Sequence, residues 1–269
     1  MVPKTDAMTT APPSDPLRDP RQVRPWIEQA ARIAVLTGAG VSAESGVPTF
    51  RDPQTGLWNN FKPEDLATEQ AFRSHPQRVW NWYAERRDAL QNAQPNAGHR
   101  ALAAFEQRRP GCLTLITQNV DDLHQRAGST DVLALHGSLF EDRWLDPCAL
   151  ARRPQDACPV ERAAPGQPPY CEQCGNLVRP CVVWFGEQLP AHALAAAERA
   201  ARECEVMLVV GTSGQVFPAA GLAYQAHDAG AKVVIINPEP TDLDEAAHAV
   251  LTGTSARLLP EILESPLSR

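Results

Sequence analysis

The sequence predicts an α/β protein, a doubly wound parallel sheet of Rossmann type with a smaller inserted helical and zinc-ribbon-like domain. Several short runs are apolar almost without interruption, as is typical of strands buried on both faces of a parallel sheet. Helical patterns separate several of these runs, and the alternation of strand and helix indicates the α/β class. The 269 residues are 43% hydrophobic and 21% charged, which is enough chain, of ordinary globular composition, for one large domain with a satellite.

The predicted elements follow one another in a regular order. Strands are predicted over residues 32–37, 112–117, 132–135, 182–185, 205–211 and 232–237. Helices are predicted over residues 97–108, 192–203 and 219–229, where apolar residues recur at three- and four-residue spacing, and over the closing TGTSARLLPEIL.

Two inserts interrupt this alternation. Residues 59–92 have a helical pattern rich in Trp, Phe and Arg, and residues 148–174 are Pro-rich and hold four of the seven cysteines. We therefore expect a disordered lead-in over 1–22, followed by two domains. The Rossmann-like domain would comprise 23–58, 105–142 and 182–269, and the small domain 59–104 with 143–181.

Charge and composition restrict the partners and the compartment. The formal net charge is −7 and no block of Lys and Arg occurs, so a general nucleic-acid or anionic-membrane surface is disfavoured. No apolar run approaches the ~18 residues of a spanning helix, and the first residues lack the apolar segment of a secretory signal. Seven cysteines in such a chain favour metal ligands or free thiols over disulfides. We expect a cytoplasmic monomer.

A glycine-rich turn follows the first predicted strand. Residues 38–43, GAGVSA, satisfy G-x-G-x-x-G/A, in which glycines let backbone N–H groups approach a pyrophosphate. A tight strand–helix turn is the alternative interpretation. A dehydrogenase would require a second strand ending in Asp or Glu about 20 residues later, but DPQTGLWNNFKPEDLATEQ contains no strand. The turn therefore favours a dinucleotide site without hydride transfer.

Polar or small residues also follow four other strands. TQNVDDLH places Gln118, Asn119 and Asp121 directly after one strand, and His136 follows another, with a glycine that leaves backbone room for a ligand. GTS at 211–213 and NPE at 237–239 end two later strands. Each could be a helix cap, a structural histidine or a simple turn. Together they predict one crevice at the carboxyl edge of the sheet.

These motifs, in this order, resemble those of the sirtuins, the NAD-dependent protein-lysine deacylases. The resemblance covers residues 25–269 and rests on GAGVSAESGVPTFRD, TQNVDDLH, HGSL, CEQC, VVWFGE, GTSGQVFPAA and INPEP. It implies that nicotinamide is displaced from NAD by the acyl oxygen of a modified lysine. The products would be free lysine, nicotinamide and O-acyl-ADP-ribose.

The resemblance also implies residue roles. Asn119 and Asp121 would hold the nicotinamide end of NAD, Phe50 would exclude water, and His136 would take a proton from a ribose hydroxyl; His124 would be structural. Asn119 and His136 are thus the expected catalytic residues. The expected cofactor-binding residues are Gly38, Ala39, Gly40, Ser42, Ala43, Glu44, Thr49, Phe50, Arg51, Gln118, Asn119, Val120, Asp121, Gly211, Thr212, Ser213, Asn237, Pro238, Glu239 and Ala256.

The acylated lysine of a protein substrate is expected in a cleft lined by VVWFGE and GQVFPAA, where a peptide could add as a strand. Tyr83 and Arg86 are three apart on a predicted helix and share a face, whereas Arg87 lies on another. An exposed Arg beside a Tyr is the plainer interpretation, but the Y-x-x-R spacing resembles sirtuins that remove succinyl and malonyl groups. The expected substrate-binding residues are Tyr83, Arg86, Val183, Phe185, Gly186, Glu187 and Val216.

The cysteine pattern departs from the family at one point. The structural zinc of sirtuins uses two C-x2-C pairs, and here only Cys171 and Cys174 form one. Trp144 and Pro147 occupy the positions expected for the first pair, and Cys148 and Cys158 are the local substitutes. Either these four cysteines bind one zinc ion or the site is degraded and the hairpin folds by packing alone. Cys112 and Cys204 are expected in the core and Cys181 on a strand.

Three other functions use the same motifs. A protein mono-ADP-ribosyltransferase would consume NAD at the same site, and a non-catalytic NAD-sensing module would bind it only. A zinc hydrolase fits poorly, because a catalytic zinc keeps an open position and usually has His or carboxylate ligands.

Overall fold

A computed structural model describes residues 16–49, 62–150, 158 and 165–264 of the chain. Its strands are β1 (Ile33–Thr37), β2 (Leu113–Thr117), β3 (Val132–Ala134), β4 (Gly137–Trp144), β5 (Val178–Val182), β6 (Val206–Val210), β7 (Lys232–Asn237) and β8 (Ala249–Thr252). Its helices are α1 (Pro20–Gln29), α2 (Pro63–Leu66), α3 (Glu69–Ser74), α4 (Pro76–Asn92), α5 (Ala97–Arg108), α6 (Leu123–Ala127), α7 (Ala191–Glu203), α8 (Gly221–Asp228) and α9 (Ser255–Leu263).

The central sheet runs in the order β3-β2-β1-β6-β7-β8, and all its neighbouring strands are parallel. The chain proceeds outward from β1 to β3 on one side and from β6 to β8 on the other. The order therefore reverses between β1 and β6, and in open α/β sheets ligands bind at such a point, beside the carboxyl ends of the strands. The predicted doubly wound sheet is confirmed.

Helices cover both faces of this sheet because its strands are apolar on both sides. Val35 of β1 packs in a core with α1, α5 and α9, whereas Ala34 and Leu36 face the opposite core, built with α7 and α8. The alanines of α7 bring that helix close to the sheet, since a small side chain occupies little of the space between the two layers.

A further core, called the second core because the two that flank the sheet form the first, lies apart from the sheet. Helices α2, α3 and α4 pack with the antiparallel pair β4 and β5 around Phe72, Tyr83, Leu139, Val182 and Trp184. The helical pattern predicted for residues 59–92 is thereby confirmed over its described part. The domain boundaries remain a prediction, and the one between residues 104 and 105 would cut through α5.

The sequence interpretation was wrong about one strand and missed two. The apolar run at 182–185 is not a strand of the parallel sheet, because β5 ends at Val182 and pairs with β4. The run is apolar because Val182 and Trp184 are both buried in the second core. Strand β4 was missed because most of its residues are half-buried or exposed. The buried apolar run of β8, residues 249–251, was not recognised as a strand.

Helices α5, α7 and α8 confirm their predicted spans to within two residues at each end. Helix α9 confirms the closing segment, but it begins three residues after that segment's first residue. In the described part of the chain, no helix combines the length and the apolar character needed to cross a bilayer.

Candidate active site

The glycine-rich turn lies against the end of β6. A 3₁₀ helix, Ala39–Ser45, follows β1, and the Gly40 amide donates to the Gly211 carbonyl at 2.8 Å. A β-carbon on Gly40 would lie 2.7 Å from Gly211 Cα, and one on Gly38 would lie 2.7 Å from Thr212 Cβ. Gly211 itself has φ +62°. Only glycines allow this contact, which brings two of the predicted cofactor segments together.

Ser42 connects this turn to the residues that follow β2. Its hydroxyl donates to Asp121 Oδ2 at 3.0 Å and accepts from Asn119 Nδ2 at 3.2 Å. Ser42 and Asn119 are buried. Burial raises the pKa of Asp121, and bonds from the Leu123 amide and from Ser42 oppose this. Three predicted residues thus form one hydrogen-bonded cluster at the switch point.

Two residues of this cluster were missed in the sequence. His99 Nε2 lies 3.4 Å from Ser42 Oγ, and His99 Nδ1 accepts from the Asn96 amide at 3.3 Å. The Asn96 side chain caps α5 and donates to the Val41 carbonyl at 2.8 Å. Asn-x-x-His at a helix start, directly after a proline, is a capping pattern that could have indicated the helix end. Nothing local in the sequence indicates the contact with Ser42.

His124 occupies a buried position behind the cluster. Its Nε2 lies 3.0 Å from Thr37 Oγ1, which donates to Thr117 Oγ1 at 2.8 Å. Burial lowers the pKa of His124 to about 3 and that of His99 to about 4. The two rings are 4.8 Å apart. Two neutral imidazoles therefore support the strand ends, and this arrangement favours the structural role predicted for His124.

His136 has one ring nitrogen fixed by the backbone. Its Nδ1 lies 2.8 Å from the Gln118 carbonyl oxygen, which can only accept, so Nδ1 carries the hydrogen and the neutral ring presents an unprotonated Nε2. Burial lowers the pKa of His136, and the Gln118 bond opposes this. The room expected beside Gly137 is not free for a ligand, because a β-carbon there would collide with the Cys181 carbonyl.

The other predicted cofactor residues surround the same strand ends. Gln118 Nε2 donates to Thr212 Oγ1 at 3.2 Å, which joins β2 to β6. The Ala256 amide, in the first turn of α9, donates to Glu44 Oε2 at 2.8 Å. Asn237 Nδ2 donates to the Glu239 carbonyl at 2.7 Å. The remaining ones in the described residues, Ala43, Thr49, Val120, Ser213 and Pro238, are at least partly exposed. Phe50 and Arg51 lie outside the described residues.

The predicted acyl-binding pair faces inward. Tyr83 is 5% exposed and its hydroxyl oxygen accepts from Trp184 Nε1 at 2.9 Å. Arg86 Cζ lies 4.7 Å from the centre of the Trp82 ring. Burial raises the pKa of Tyr83 to about 12 and lowers that of Arg86, while the charge of Asp121 acts on Arg86 in the opposite direction. Arg86 is thus close enough to both Tyr83 and Asp121 for these groups to act on its charge, unlike an isolated arginine on an exposed helix face.

The predicted substrate cleft has one supporting and several exposed residues. The Val183 amide donates to the His136 carbonyl at 2.9 Å, and Phe185 is 51% exposed; Gly186 is exposed and Val216 half-buried. Glu187, by contrast, binds the buried Arg179 and accepts from the Trp184 amide at 2.8 Å. These bonds use both carboxylate oxygens, which favours a supporting role for Glu187.

The cysteines that replace the missing pair lie beside Cys174. Its sulfur is 3.8 Å from that of Cys148 and 3.6 Å from that of Cys158. The three sulfurs all lie within 4.8 Å of one another. Four thiolates at 2.3 Å from a tetrahedral zinc are about 3.8 Å apart, so the donor set and spacing fit that ion.

Cys171 adjoins this group, although it is not one of the three cysteines whose sulfurs all lie within 4.8 Å of one another. It is fully buried, and its thiol interacts with those of Cys158 and Cys174. A backbone bond from Asn176, followed by the neighbouring thiols, lowers the pKa of Cys174 to about 7, which favours the thiolate that a metal requires. All seven cysteines are free, and Cys112, Cys181 and Cys204 lie outside this cluster.

Comparisons with known proteins identify the family. Residues 38–218 match the model of the Sir2 family. A Ralstonia nicotianae protein named NAD-dependent protein deacylase is 56% identical over 244 residues, 91% of this chain and 96% of that protein. A Pseudomonas aeruginosa protein, NAD-dependent protein deacylase 1, is 49% identical over 90% of this chain and 97% of its own.

Solved structures agree with this match. A Sir2 homologue in complex with NAD superposes with a TM-score of 0.80 at 43% identity, over 93% of this chain and 94% of its own. A Sir2 enzyme bound to a deacetylated p53 peptide and 3′-O-acetyl ADP-ribose gives 0.76 at 30% identity, over 90% and 96%. The chain therefore belongs to the Sir2 family.

Proposed function

We propose that this chain is an NAD-dependent protein-lysine deacylase that removes acetyl groups and also succinyl and malonyl groups. It releases nicotinamide and O-acyl-ADP-ribose. Membership of the Sir2 family and the deacylase names of its relatives support the NAD-dependent activity. The observation that carries the proposal is the Ser42–Asn119–Asp121 cluster at the switch point of the sheet, with His136 one strand away.

The cluster supplies a preorganised polar site for the nicotinamide end of the cofactor. NAD, when bound, supplies the ribose carbon that is attacked and nicotinamide as the leaving group. Asn119 is held through one amide hydrogen and Asp121 through one hydrogen bond to each oxygen. Their remaining donor and acceptor positions are thus fixed in direction before a ligand arrives, which lowers the cost of ordering them.

His136 is suited to accept a proton from a ribose hydroxyl. Because Nδ1–H donates to the Gln118 carbonyl, the neutral ring can accept only through Nε2. Burial lowers the pKa of His136, so the ring stays neutral, and competent as a base, to more acidic pH than an exposed histidine. The base is therefore defined in both protonation state and orientation.

Arg86 and Tyr83 account for the acidic acyl groups. A guanidinium can pair bidentately with the terminal carboxylate of a succinyl or malonyl group, which an acetyl group lacks. Burial of both side chains strengthens such a bond, because few water molecules compete for the same groups. A carboxylate here also offsets the unfavourable burial of the Arg86 charge.

The cysteine cluster is proposed to hold one structural zinc ion. Cys148, Cys158, Cys171 and Cys174 would fill the four positions of a tetrahedron, which leaves none for a reacting group. The ion would tie residues after β4 to the turn before β5. Cytoplasmic location, a monomeric state and the absence of nucleic-acid or membrane partners stay predictions.

Mass spectrometry of peptides tests the deacylase proposal. Peptides with acetyl-, succinyl- or malonyl-lysine are incubated with and without NAD, and each acyl group should leave only with NAD and yield one O-acyl-ADP-ribose. His136→Ala is the control for the site. Transfer of ADP-ribose to protein without loss of the acyl group would instead favour a mono-ADP-ribosyltransferase. NAD binding without either product would favour a sensing module.

A further inference from the structure

Trp184 contacts Tyr83 of the acyl-binding pair without belonging to that pair. Trp184 Nε1 donates to the Tyr83 hydroxyl oxygen at 2.9 Å, and both residues are buried, at 2% and 5% exposure. An indole nitrogen is only a donor. The direction of this bond is therefore certain, and it occupies one of the acceptor positions of the phenolic oxygen.

This bond restricts the direction of the Tyr83 hydrogen. A phenol O–H prefers the plane of its ring, with two positions on either side of the C–O bond. A donor at one of these positions excludes the hydrogen from it, so the hydrogen takes the other. Tyr83 and Arg86 lie three residues apart on α4, and the charge of Arg86 acts on Tyr83. The Tyr83 hydroxyl therefore donates away from Trp184 Nε1, and Arg86 is close enough for its charge to act on the phenol.

Trp184 is itself held rigidly. Arg179 Cζ lies 3.2 Å from the centre of its ring, and the Phe72 ring centre is 5.3 Å away. The Trp184 amide donates to Glu187 Oε2 at 2.8 Å, and the same carboxylate binds Arg179. The indole plane and the backbone are fixed together, as a group that orients another side chain requires.

We propose that Trp184 is a positioning residue for acyl selectivity: its indole N–H directs the Tyr83 hydroxyl hydrogen toward the carboxylate of a succinyl or malonyl group bound at Arg86. The inference rests on the proposed acidic-acyl activity. An acetyl group has no carboxylate to receive this hydrogen. Trp184 therefore acts on the ratio of desuccinylation to deacetylation rather than on the reaction common to both.

The test measures kcat/KM for matched succinyl- and acetyl-peptides in Trp184→Phe, Tyr83→Phe and the double variant. We expect the succinyl/acetyl ratio to fall roughly three- to tenfold in Trp184→Phe, as for one hydrogen bond that is no longer directed. The ratio cancels any loss of folded enzyme. If Trp184 acts through Tyr83, the double variant has the ratio of Tyr83→Phe alone. Trp80→Phe, at a half-buried Trp of α4 that stacks on Arg87, is the matched control and leaves the ratio unchanged.

An isosteric replacement separates the N–H from the packing. In 3-benzothienylalanine at position 184, sulfur takes the place of the indole N–H while the bicyclic ring is kept, so the stacking on Arg179 survives. The same fall in the ratio is expected, with a melting temperature close to that of the wild type.

Two outcomes are distinct. If the succinyl/acetyl ratio is unchanged in both position-184 variants but lowered in Tyr83→Phe, this inference is overturned and the proposed function stands. The same holds if the effects of Trp184→Phe and Tyr83→Phe on the ratio add in the double variant. A wild-type chain that cleaves acetyl but not succinyl or malonyl peptides overturns both.

Discussion

Acid should destabilise this protein through the two buried imidazoles of His99 and His124. Burial lowers their pKa values from the ordinary 6.5 to about 4 and about 3. As the pH falls below about 6.5, these two histidines therefore bind protons in the unfolded chain but remain neutral in the folded chain. Stability from this source is complete above pH 6.5 and is lost as the pH falls toward the folded-state values.

The expected loss in the free energy of unfolding depends on how far the pH lies below 6.5, the ordinary pKa of a histidine. At pH 5 each histidine is largely protonated in the unfolded chain and still neutral in the folded one, which costs about 2 kcal/mol per histidine relative to pH 8. The two together cost about 4 kcal/mol, a large share of the ~5–15 kcal/mol that stabilises an ordinary domain.

Urea unfolding at pH 8 and pH 5 measures this loss directly. The wild type and His99→Gln are compared, because a glutamine cannot titrate and all other groups then cancel in the difference. We expect the variant to lose about 2 kcal/mol less than the wild type between the two pH values. His192→Gln, which removes an exposed histidine of α7, serves as the control and should behave as the wild type. Equal losses in the wild type and His99→Gln would refute the assignment of His99 as a buried neutral ring.

Three further predictions concern the proposed chemistry and the metal. His136→Ala should lower deacylation more than tenfold, while NAD binding, measured by calorimetry, largely survives. In the wild type, the fall of kcat/KM on the acid side should lie below pH 6.5, because burial lowers the pKa of His136. Retention of a tenth of the wild-type turnover would contradict the base role. Cys174→Ser should lower the bound zinc, measured by plasma mass spectrometry, from one equivalent and should lower the melting temperature; a wild type without zinc would instead favour a degraded site. Arg86→Met should raise KM for a succinyl-peptide roughly 10- to 150-fold, the range for a charge-assisted bidentate contact, with little change for an acetyl-peptide. Parallel losses on both peptides would mean that Arg86 supports the fold.

The sequence predicts the parts of this molecule that depend on local patterns. The strands on both sides of the switch point are apolar runs, so β1, β2, β6 and β7 are predicted closely. The glycines of the turn are recognised from a local motif, although the contact that requires them is with Gly211 and Thr212. Strand β4 has no such pattern, since pairing with β5 rather than burial defines it. The run at 182–185 has the pattern of a buried strand, because burial of Val182 and Trp184 in a core apart from the sheet gives the same apolar pattern as burial in a sheet.

The contacts within the site are less accessible to sequence reasoning. Asn119 and Asp121 are predicted because they follow a strand, but their common partner Ser42 is 77 and 79 residues away in the chain. His99 is 57 residues from Ser42, and Trp184 is 101 residues from Tyr83. Such bonds depend on how the layers pack, and a single sequence contains no local signal for them.

His99, whose protonation would destabilise the fold, is coupled to the proposed cofactor site through the Ser42 hydroxyl. Ser42 has one hydrogen and two acceptor positions, and it gives the hydrogen to Asp121 while it accepts from Asn119 and, at the longer distance, from His99. Protonation of His99 would place a second hydrogen on Nδ1, opposite the Asn96 amide that now donates to it. The Asn96 cap holds the Val41 carbonyl of the glycine-rich turn. The charge that destabilises the fold in acid would therefore act on the Asn96 cap and, through it, on the backbone of the proposed cofactor site.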